Sequence, residues 1–563
     1  VSLTQTESLD ELLARAERWI ADDPDPITRA QLTEAIAAAR SGDQGTRITL
    51  TDAFNGTLSF GTAGLRGAVA PGPNRMNRAV VSRAAAGLSA YLQTQGGGTI
   101  VVGYDARHRS DDFARDTCEI AAGAGLRALL LPRPLPTPVL AYAVRHLGAQ
   151  AGVMVTASHN PPQDNGYKVY LGGGWQIVPP VDAEIAAHIA AVESVLSLPR
   201  EDNWSTLDDE VLESYLDRVV SLVPESAPRS VIVGYTPMHG VGRDTFVETL
   251  QRSGFDAPHV VAEQGEPDPD FPTVVFPNPE EPGAMDLAKA LGERVGADIV
   301  IANDPDADRA AAAVPAADGS GFVMLRGDEV GALLGWWLIE RARRNGETIT
   351  GIYANSIVSA SLLGKIASAA GLEFLQTLTG FKWIGRVDGL TFGYEEALGY
   401  CVDPEAVRDK DGISAGLLLA ELTAALKAEG RTVHDVLDDL AREHGLYATD
   451  QLSVRVSDVS IIADSMARLR ANPPAVLGGV NVAEAQDLER GSEALPPTDG
   501  LRYLLDGGAR VIVRPSGTEP KIKCYLEVVV PVSDGDVAGA RRQATATLAA
   551  MRVDLADAAG LVV

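Results

Sequence analysis

Cysteine is nearly absent: Cys118, Cys401 and Cys524 are the only three in 563 residues. They are far apart and odd in number, so no disulfide framework and no zinc-ligand spacing is visible. A reducing, cytoplasmic setting is expected. Positive charge is also scarce. Lys and Arg total 48 against 76 Asp and Glu, a formal net charge of −28. That argues against a general nucleic-acid binder, which needs a basic face. No apolar run is long enough to span a bilayer, so no membrane partner is expected. The opening VSLTQTESLDELL lacks the basic stretch and apolar core of a secretory signal. What remains is ordinary: 45% hydrophobic and 22% charged residues suit a soluble globular chain. Its length calls for about three to five domains. In so acidic a chain, an anionic substrate would need local basic loops.

The first 55 residues read as a helical extension. Ser8 with Glu11 forms a capping box, Leu9, Leu12, Leu13, Ala16 and Ile20 recur at helical spacing, and Asp25-Pro26 starts a second helix. From Thr99 the pattern changes to short apolar strands alternating with helices: TIVVGY, DDFARDTCEIAAGAG, RALLL, then GVMVT. The theme returns at SVIVGY, ADIVIA, GIYAN and LEFLQ. This pattern predicts mostly parallel sheets covered on both faces. The expected organisation is an extension over 1–55, α/β domains over 56–225, 226–325 and 326–445, and a smaller α+β domain over 446–563 whose strands ARVIV and KIKCYLEVVV look antiparallel. Ligands of such sheets bind beyond the carboxyl ends of the strands, so chemistry is sought at the strand-to-loop junctions.

Four junctions stand out. In VMVTASHNPPQDNGYKVY, Ser158 and His159 follow a strand, two prolines stiffen the loop, and Asp164-Asn165-Gly166 looks turn-like. Adjacent Ser and His are not a triad, because neighbouring side chains rarely face each other, and no G-x-S-x-G elbow is present. In ANDPDADRA, Asp304, Asp306 and Asp308 alternate, and in extended chain alternate side chains share a side. Three converging carboxylates repel unless a cation sits between them, and hard oxygen ligands suit Mg²⁺. An EF-hand loop fails here, since its sixth and twelfth positions are Arg309 and Pro315. A plain acidic loop is the alternative, but Arg309 beside the carboxylates favours phosphate chemistry. In FGYEEALGY, Glu395 follows the strand LTFGY, with Lys382 and Lys410 on nearby loops. In RPSGTEPKIKCY, Arg514, Ser516, Gly517 and Thr518 form a compact phosphate nest between two strands. Arg66, Lys168, Arg309, Lys382, Arg514, Lys521 and Lys523 supply the local positive charge.

Taken together these stretches resemble the α-D-phosphohexomutase superfamily, with FGTAGLRG and GYDARHRS matching as well. TLTGFKWIG and FPNPEEPGAMDLA look closest to the branch holding phosphopentomutases, glucose-1,6-bisphosphate synthases and several bacterial phosphomannomutases. The resemblance implies three α/β domains with mixed sheets and a smaller fourth domain around a central cleft. It implies that Ser158 carries a phosphoryl group and completes an Mg²⁺ site with Asp304, Asp306 and Asp308. Arg66, His159, Lys168 and Arg309 would surround the transferring phosphoryl, with Lys382 close to the chemistry. Glu395, with Lys410, would contact sugar hydroxyls, and Arg514, Ser516, Gly517, Thr518 and Lys523 would clamp the non-reacting phosphate. Many hexose mutases carry serine two places after the glutamate, where this chain has Ala397.

The implied reaction moves a phosphoryl group between the 1- and 6-positions of a glucose or mannose phosphate. A hexose 1,6-bisphosphate would be intermediate and activator, and the partner a small phosphosugar substrate, with no nucleic acid or membrane. Phosphopentomutase or bisphosphate synthase activity, or a catalytically silent phosphosugar-binding protein, are the alternatives. Lys168 is the first candidate general base or acid, and that role requires a depressed pKa. His159 and Lys382 follow it.

Overall fold

The computed structural model describes residues 8–456, 458, 460–492, 495–516 and 521–561. The N-terminal helices begin where their caps are. Ser8 Oγ accepts from Glu11 N at 3.3 Å while Ser8 N donates to the Glu11 carboxylate at 2.9 Å, opening α1 (Leu9–Asp22). Asp25 caps α2 (Pro26–Arg40) and Asp43 caps α3 (Gln44–Ala53). Leu12, Leu13, Ala16, Leu32, Ile36, Leu50 and Phe54 form their shared core. Asp22 pairs with Arg83 at 2.9 Å and Asp25 with Arg109 at 2.6 Å.

Two compact units follow from the chain's contacts: Val1–Met324 with Asp403–Ala424, and Leu325–Val402 with Ala425–Val563. The first unit holds two mixed sheets. One has the order β1-β5-β4-β2-β3-β6, from β1 (Leu65–Ala68), β2 (Thr99–Tyr104), β3 (Arg127–Leu130), β4 (Ala151–Val155), β5 (Asp164–Leu171) and β6 (Ser205–Thr206). Here β4, β2, β3 and β6 run parallel, while β5 is antiparallel to both β4 and β1. The other has the order β11-β10-β9-β7-β8, from β7 (Val233–Thr236), β8 (His259–Val260), β9 (Ile299–Ala302), β10 (Ala311–Pro315) and β11 (Phe322–Met324), with β7, β8 and β9 parallel. Val102, Val153, Val155 and Phe113 lie in the core of the first sheet. Helices cover these sheets because their strands are apolar on both faces. Residues 403–424, which lie in the third region of the sequence reading, pack into this unit: Tyr170 and Tyr215 donate to Asp409 and Asp411 at 2.8 and 2.9 Å.

The second unit holds a mixed sheet of β12 (Ile352–Ser356), β13 (Glu373–Thr377), β14 (Leu390–Glu395) and β15 (Gly399–Cys401), ordered β13-β12-β14-β15. Its other sheet is antiparallel throughout: β16 (Leu446–Arg455), β21 (Lys521–Val530), β20 (Arg510–Pro515), β19 (Leu501–Leu505), β18 (Val480–Asp487) and β17 (Val476–Leu477), in that spatial order. The architecture is therefore α/β with mixed sheets and an antiparallel C-terminal sheet, as expected. All three cysteines are buried and free. No helix among the described residues is long and apolar enough to cross a membrane.

One local expectation is overturned. Asp164-Asn165-Gly166 is not a turn but the start of β5, where Gly166 sits between β4 and β1. A Cβ on Gly166 would lie 2.5 Å from the Thr156 carbonyl oxygen and 2.9 Å from that of Leu65. Glycine is there for close strand approach, and the ladder overrides the local turn preference.

Candidate active site

The loop that leaves β4 turns sharply at Ser158, whose φ is 54°. The Thr156 hydroxyl accepts the Ser158 N–H at 2.9 Å and supports this turn. Ser158 is only 2% exposed, its Oγ donating to Asp304 Oδ2 at 2.9 Å and lying 3.1 Å from His159 Nδ1. Adjacent Ser and His side chains do meet here, contrary to the sequence expectation, because the left-handed turn swings them to one side. Burial, then the cations Arg309 and Arg66, hold the His159 imidazole well below its ordinary pKa, so it is neutral. Arg66, from β1, donates to Asn160 Oδ1 at 3.2 Å in the same loop.

Asp304, Asp306 and Asp308 follow β9, are fully buried, and each offers an oxygen within 4.8 Å of the others. The convergence does not come from extended chain. Ala307 takes a φ of 54° and its N–H closes a turn onto the Asp304 carbonyl at 2.8 Å. Asn303 spans the base of the loop by donating to the Arg309 carbonyl at 2.6 Å, and Tyr235 holds Asn303 at 2.8 Å. Thr137, on another element, donates from its hydroxyl to Asp306 Oδ2 at 2.6 Å and from its N–H to the Asp306 carbonyl at 2.9 Å.

Charge in the cluster is uneven. Lys168 Nζ reaches Asp306 Oδ2 at 2.7 Å and Asp308 Oδ2 at 2.8 Å, Lys410 Nζ reaches Asp308 Oδ2 at 2.9 Å, and Arg309 Nε lies 3.8 and 3.9 Å from Asp304 and Asp308. Burial opposes the Asp308 charge, but Lys168, Lys410 and Arg309 outweigh it and keep the carboxyl far below its usual pKa. Asp304 is pushed up, by burial first and then by Asp306 and Asp308. Among the described residues, Asp306 Oδ1 and Asp308 Oδ1 are buried without a hydrogen-bond partner. Orphaned carboxylate oxygens beside a third buried carboxylate are a donor set suited to a hard divalent cation.

Two expectations change here. Lys168 does not have the depressed pKa that a general base needs: burial opposes its charge, but Asp306 and Asp308 outweigh burial and raise it. Lys410, read from sequence with the sugar-recognition loop, has its ammonium on Asp308, and is likewise held charged there against the cost of burial.

In the second unit, Glu395 ends β14 opposite Gly399 and is partly buried. Its neighbour Glu396 is anchored: its carboxylate accepts from the Ser356 and Ser359 hydroxyls at 3.1 and 3.0 Å, and its N–H donates to Ser359 Oγ at 3.0 Å. Lys382 lies on a short helix, Phe381–Ile384, behind Gly380. Arg514 on β20 is directly opposite Lys523 on β21, and Ser516 N donates to the Lys521 carbonyl at 2.8 Å. Register also sets Arg455 of β16 opposite Lys521. Opposite residues share a face, as do residues two apart on one strand, so Arg455, Lys521, Lys523 and Arg514 line one side of the sheet end. Like charges placed this way are destabilising on their own. Gly517 and Thr518 lie outside the described residues. Sequence reasoning missed Arg455 and Thr137, which carry no local motif; only strand register and a cross-element hydrogen bond reveal them.

The chain matches the family descriptions phosphoglucomutase/phosphomannomutase alpha/beta/alpha domain I over residues 57–195, domain II over 213–319, domain III over 326–444 and the C-terminal domain over 453–538. A Haemophilus influenzae protein named a probable phosphomannomutase is 52% identical over 458 residues, covering 80% of this chain and 93% of that one. Human phosphopentomutase is 34% identical over 585 residues, covering 95% of this chain and 94% of that one. Among solved structures, a Thermus thermophilus protein assigned as a phosphomannomutase superposes with a TM-score of 0.69 at 27% identity, covering 88% of this chain and 99% of that one.

Proposed function

The chain belongs to the phosphoglucomutase/phosphomannomutase family and is an intramolecular phosphotransferase, and from that premise we propose that it interconverts the 1- and 6-phosphates of glucose or mannose through a phosphoserine at position 158 and a hexose 1,6-bisphosphate. The carrying observation is Ser158 Oγ held at 2.9 Å from Asp304 within a buried, cation-flanked carboxylate cluster. Asp304, Asp306 and Asp308, with Ser158, would hold Mg²⁺, which when bound supplies charge neutralisation for the phosphoryl in transfer. Arg309 and Lys168 add fixed positive charge beside the same phosphoryl. A neutral His159 next to Ser158 Oγ is suited to exchange a proton with the reacting hydroxyl, a part that the charged Lys168 does not suit.

In the proposed cycle, phosphoserine gives its phosphoryl to the free hydroxyl of a sugar phosphate. The bisphosphate turns over, and its other phosphate returns to Ser158. Arg514, Ser516, Gly517, Thr518 and Lys523 grip whichever phosphate is not reacting, and the cationic register pairs support that reading for the residues described. Glu395 contacts sugar hydroxyls. A second reading, phosphopentomutase, has specific support: the human phosphopentomutase aligns over 95% of the chain, and Ala397 lacks the hydroxyl found in many hexose mutases. The deciding experiment measures kcat/KM for glucose 1-phosphate, mannose 1-phosphate and ribose 1-phosphate, each with and without its bisphosphate. A hexose preference with dependence on bisphosphate upholds the proposal, and a ribose preference replaces it with the second reading.

A further inference from the structure

Arg107 lies between β2 and the helix Ser110–Gly123 and is 4% exposed. Its guanidinium donates to three backbone carbonyls of the Ser158 loop and to one at the start of β5: Nη2 to Ser158 at 2.7 Å and Asn160 at 2.6 Å, Nη1 to Pro161 at 2.9 Å and Asp164 at 3.2 Å. The Asp105 carboxylate stands 3.4 Å from Nε, and the Phe271 ring centroid lies 4.9 Å from the guanidinium carbon. Phe271 is 2% exposed and holds a φ of 45°. The cation is thus fixed from behind by a carboxylate and a ring, and spends its fork on the Ser158 loop.

We infer that Arg107 is a positioning residue for phosphoryl transfer, holding the Ser158 loop in the left-handed turn that aims Oγ at Asp304. The inference rests on the reading of Ser158 as phosphoryl carrier. Pro161 and Pro162 restrict the loop but supply no N–H; within the segment the Asp164 N–H reaches the Pro161 carbonyl at 3.1 Å, and Arg107 supplies donors to the others. Only a planar guanidinium offers several donors in a fixed fork. A serine does not readily keep a positive φ without such support, and a displacement of about 1 Å at an in-line centre costs on the order of a hundredfold in rate.

The test compares wild type, Ser158→Ala and Arg107→Lys by steady-state kinetics on the preferred sugar phosphate, with circular dichroism to check the fold. Lysine restores the charge beside Asp105 but not the fork. The expected result is a kcat lowered about a hundredfold in Arg107→Lys with KM unchanged. If Ser158→Ala is inactive while Arg107→Lys turns over like wild type, the positioning role is overturned and the phosphoserine reading stands. If Ser158→Ala keeps full activity, the phosphoserine reading falls and takes this inference with it. Should Arg107→Lys not fold, Phe271→Leu removes the ring behind the guanidinium. Faster hydrogen exchange at the amides of His159, Asn160, Gln163 and Asp164 is then the expected result, and wild-type exchange at those amides overturns the inference.

Discussion

Replacing Lys168 with methionine isolates the buried charge balance of the Asp cluster. Lys168 is 5% exposed and its ammonium bridges Asp306 and Asp308 at 2.7 and 2.8 Å. Removing one partner of a buried ion pair costs about 3–5 kcal/mol, because the remaining charge stays desolvated. Asp308 keeps Lys410 at 2.9 Å and Arg309 at 3.9 Å, while Asp306 keeps the Thr137 hydroxyl at 2.6 Å and the nearby charges of Arg66 and Arg107. The lower end, about 3 kcal/mol, is therefore expected in the presence of a chelator. With an m value of about 3 kcal/mol/M, this lowers the urea midpoint by about 1 M. Saturating Mg²⁺ should shrink the penalty, since a divalent cation on the orphaned Asp306 and Asp308 oxygens replaces the missing charge. Ligand at about a hundredfold its Kd contributes about 2.7 kcal/mol. The assay is urea unfolding of wild type and Lys168→Met, each in EDTA and in Mg²⁺. A penalty equal in both media, or no penalty in EDTA, refutes the assignment of Lys168 and a metal to one carboxylate cluster.

Intact-mass analysis should show a species one phosphoryl group heavier in the purified wild type, absent from Ser158→Ala, whose mutase activity is abolished. Thr137→Val should lower Mg²⁺ affinity, read from the Mg²⁺ dependence of the urea midpoint, by leaving Asp306 misaimed; an unchanged dependence would show that Thr137 has no such role. Asp328, partly buried and accepting from Ala360 N and Tyr394 Oη at 2.6 and 2.9 Å, is pushed up to about 7 by desolvation and then by Glu396 and Glu527. Its folded pKa exceeds its unfolded one, so its contribution to stability is present below about pH 4 and lost as pH rises through about 7. Up to about 1.4 kcal/mol per pH unit is lost across that window, and Asp328→Asn should flatten the dependence in urea melts between pH 4 and 8. Arg514→Ala should weaken all three sugar phosphates alike by roughly ten- to a hundredfold, while Glu395→Gln should change the ratios of kcat/KM among them; the reverse pattern would exchange the two roles.

Much was legible in sequence wherever the deciding interactions are local. The Ser8–Glu11 box, the Asp25-Pro26 start and the strands before Ser158 and Asp304 depend on residues within a few positions of each other, and they formed as read. The three aspartates also announced a carboxylate cluster able to hold a cation, because they share one short loop. Even there the conformation was misread: a turn through Ala307, not extended chain, brings them together.

Tertiary structure decided the rest. Whether Lys168 is a base or a fixed cation depends on how far its ammonium lies from carboxylates 138 and 140 positions away along the chain, and sequence carries no such distance. Lys410 joins Asp308 because residues 403–424 fold back into the first unit. Asn165-Gly166 became strand because two neighbouring backbones closed on it. Arg107 sat in GYDARHRS with no role read for it and Arg455 had no motif, since a guanidinium acquires a role only from the carbonyls and cations that the fold sets opposite it. Local preference is written in neighbouring residues, whereas burial, register and Coulomb energy are properties of distances that exist only after folding.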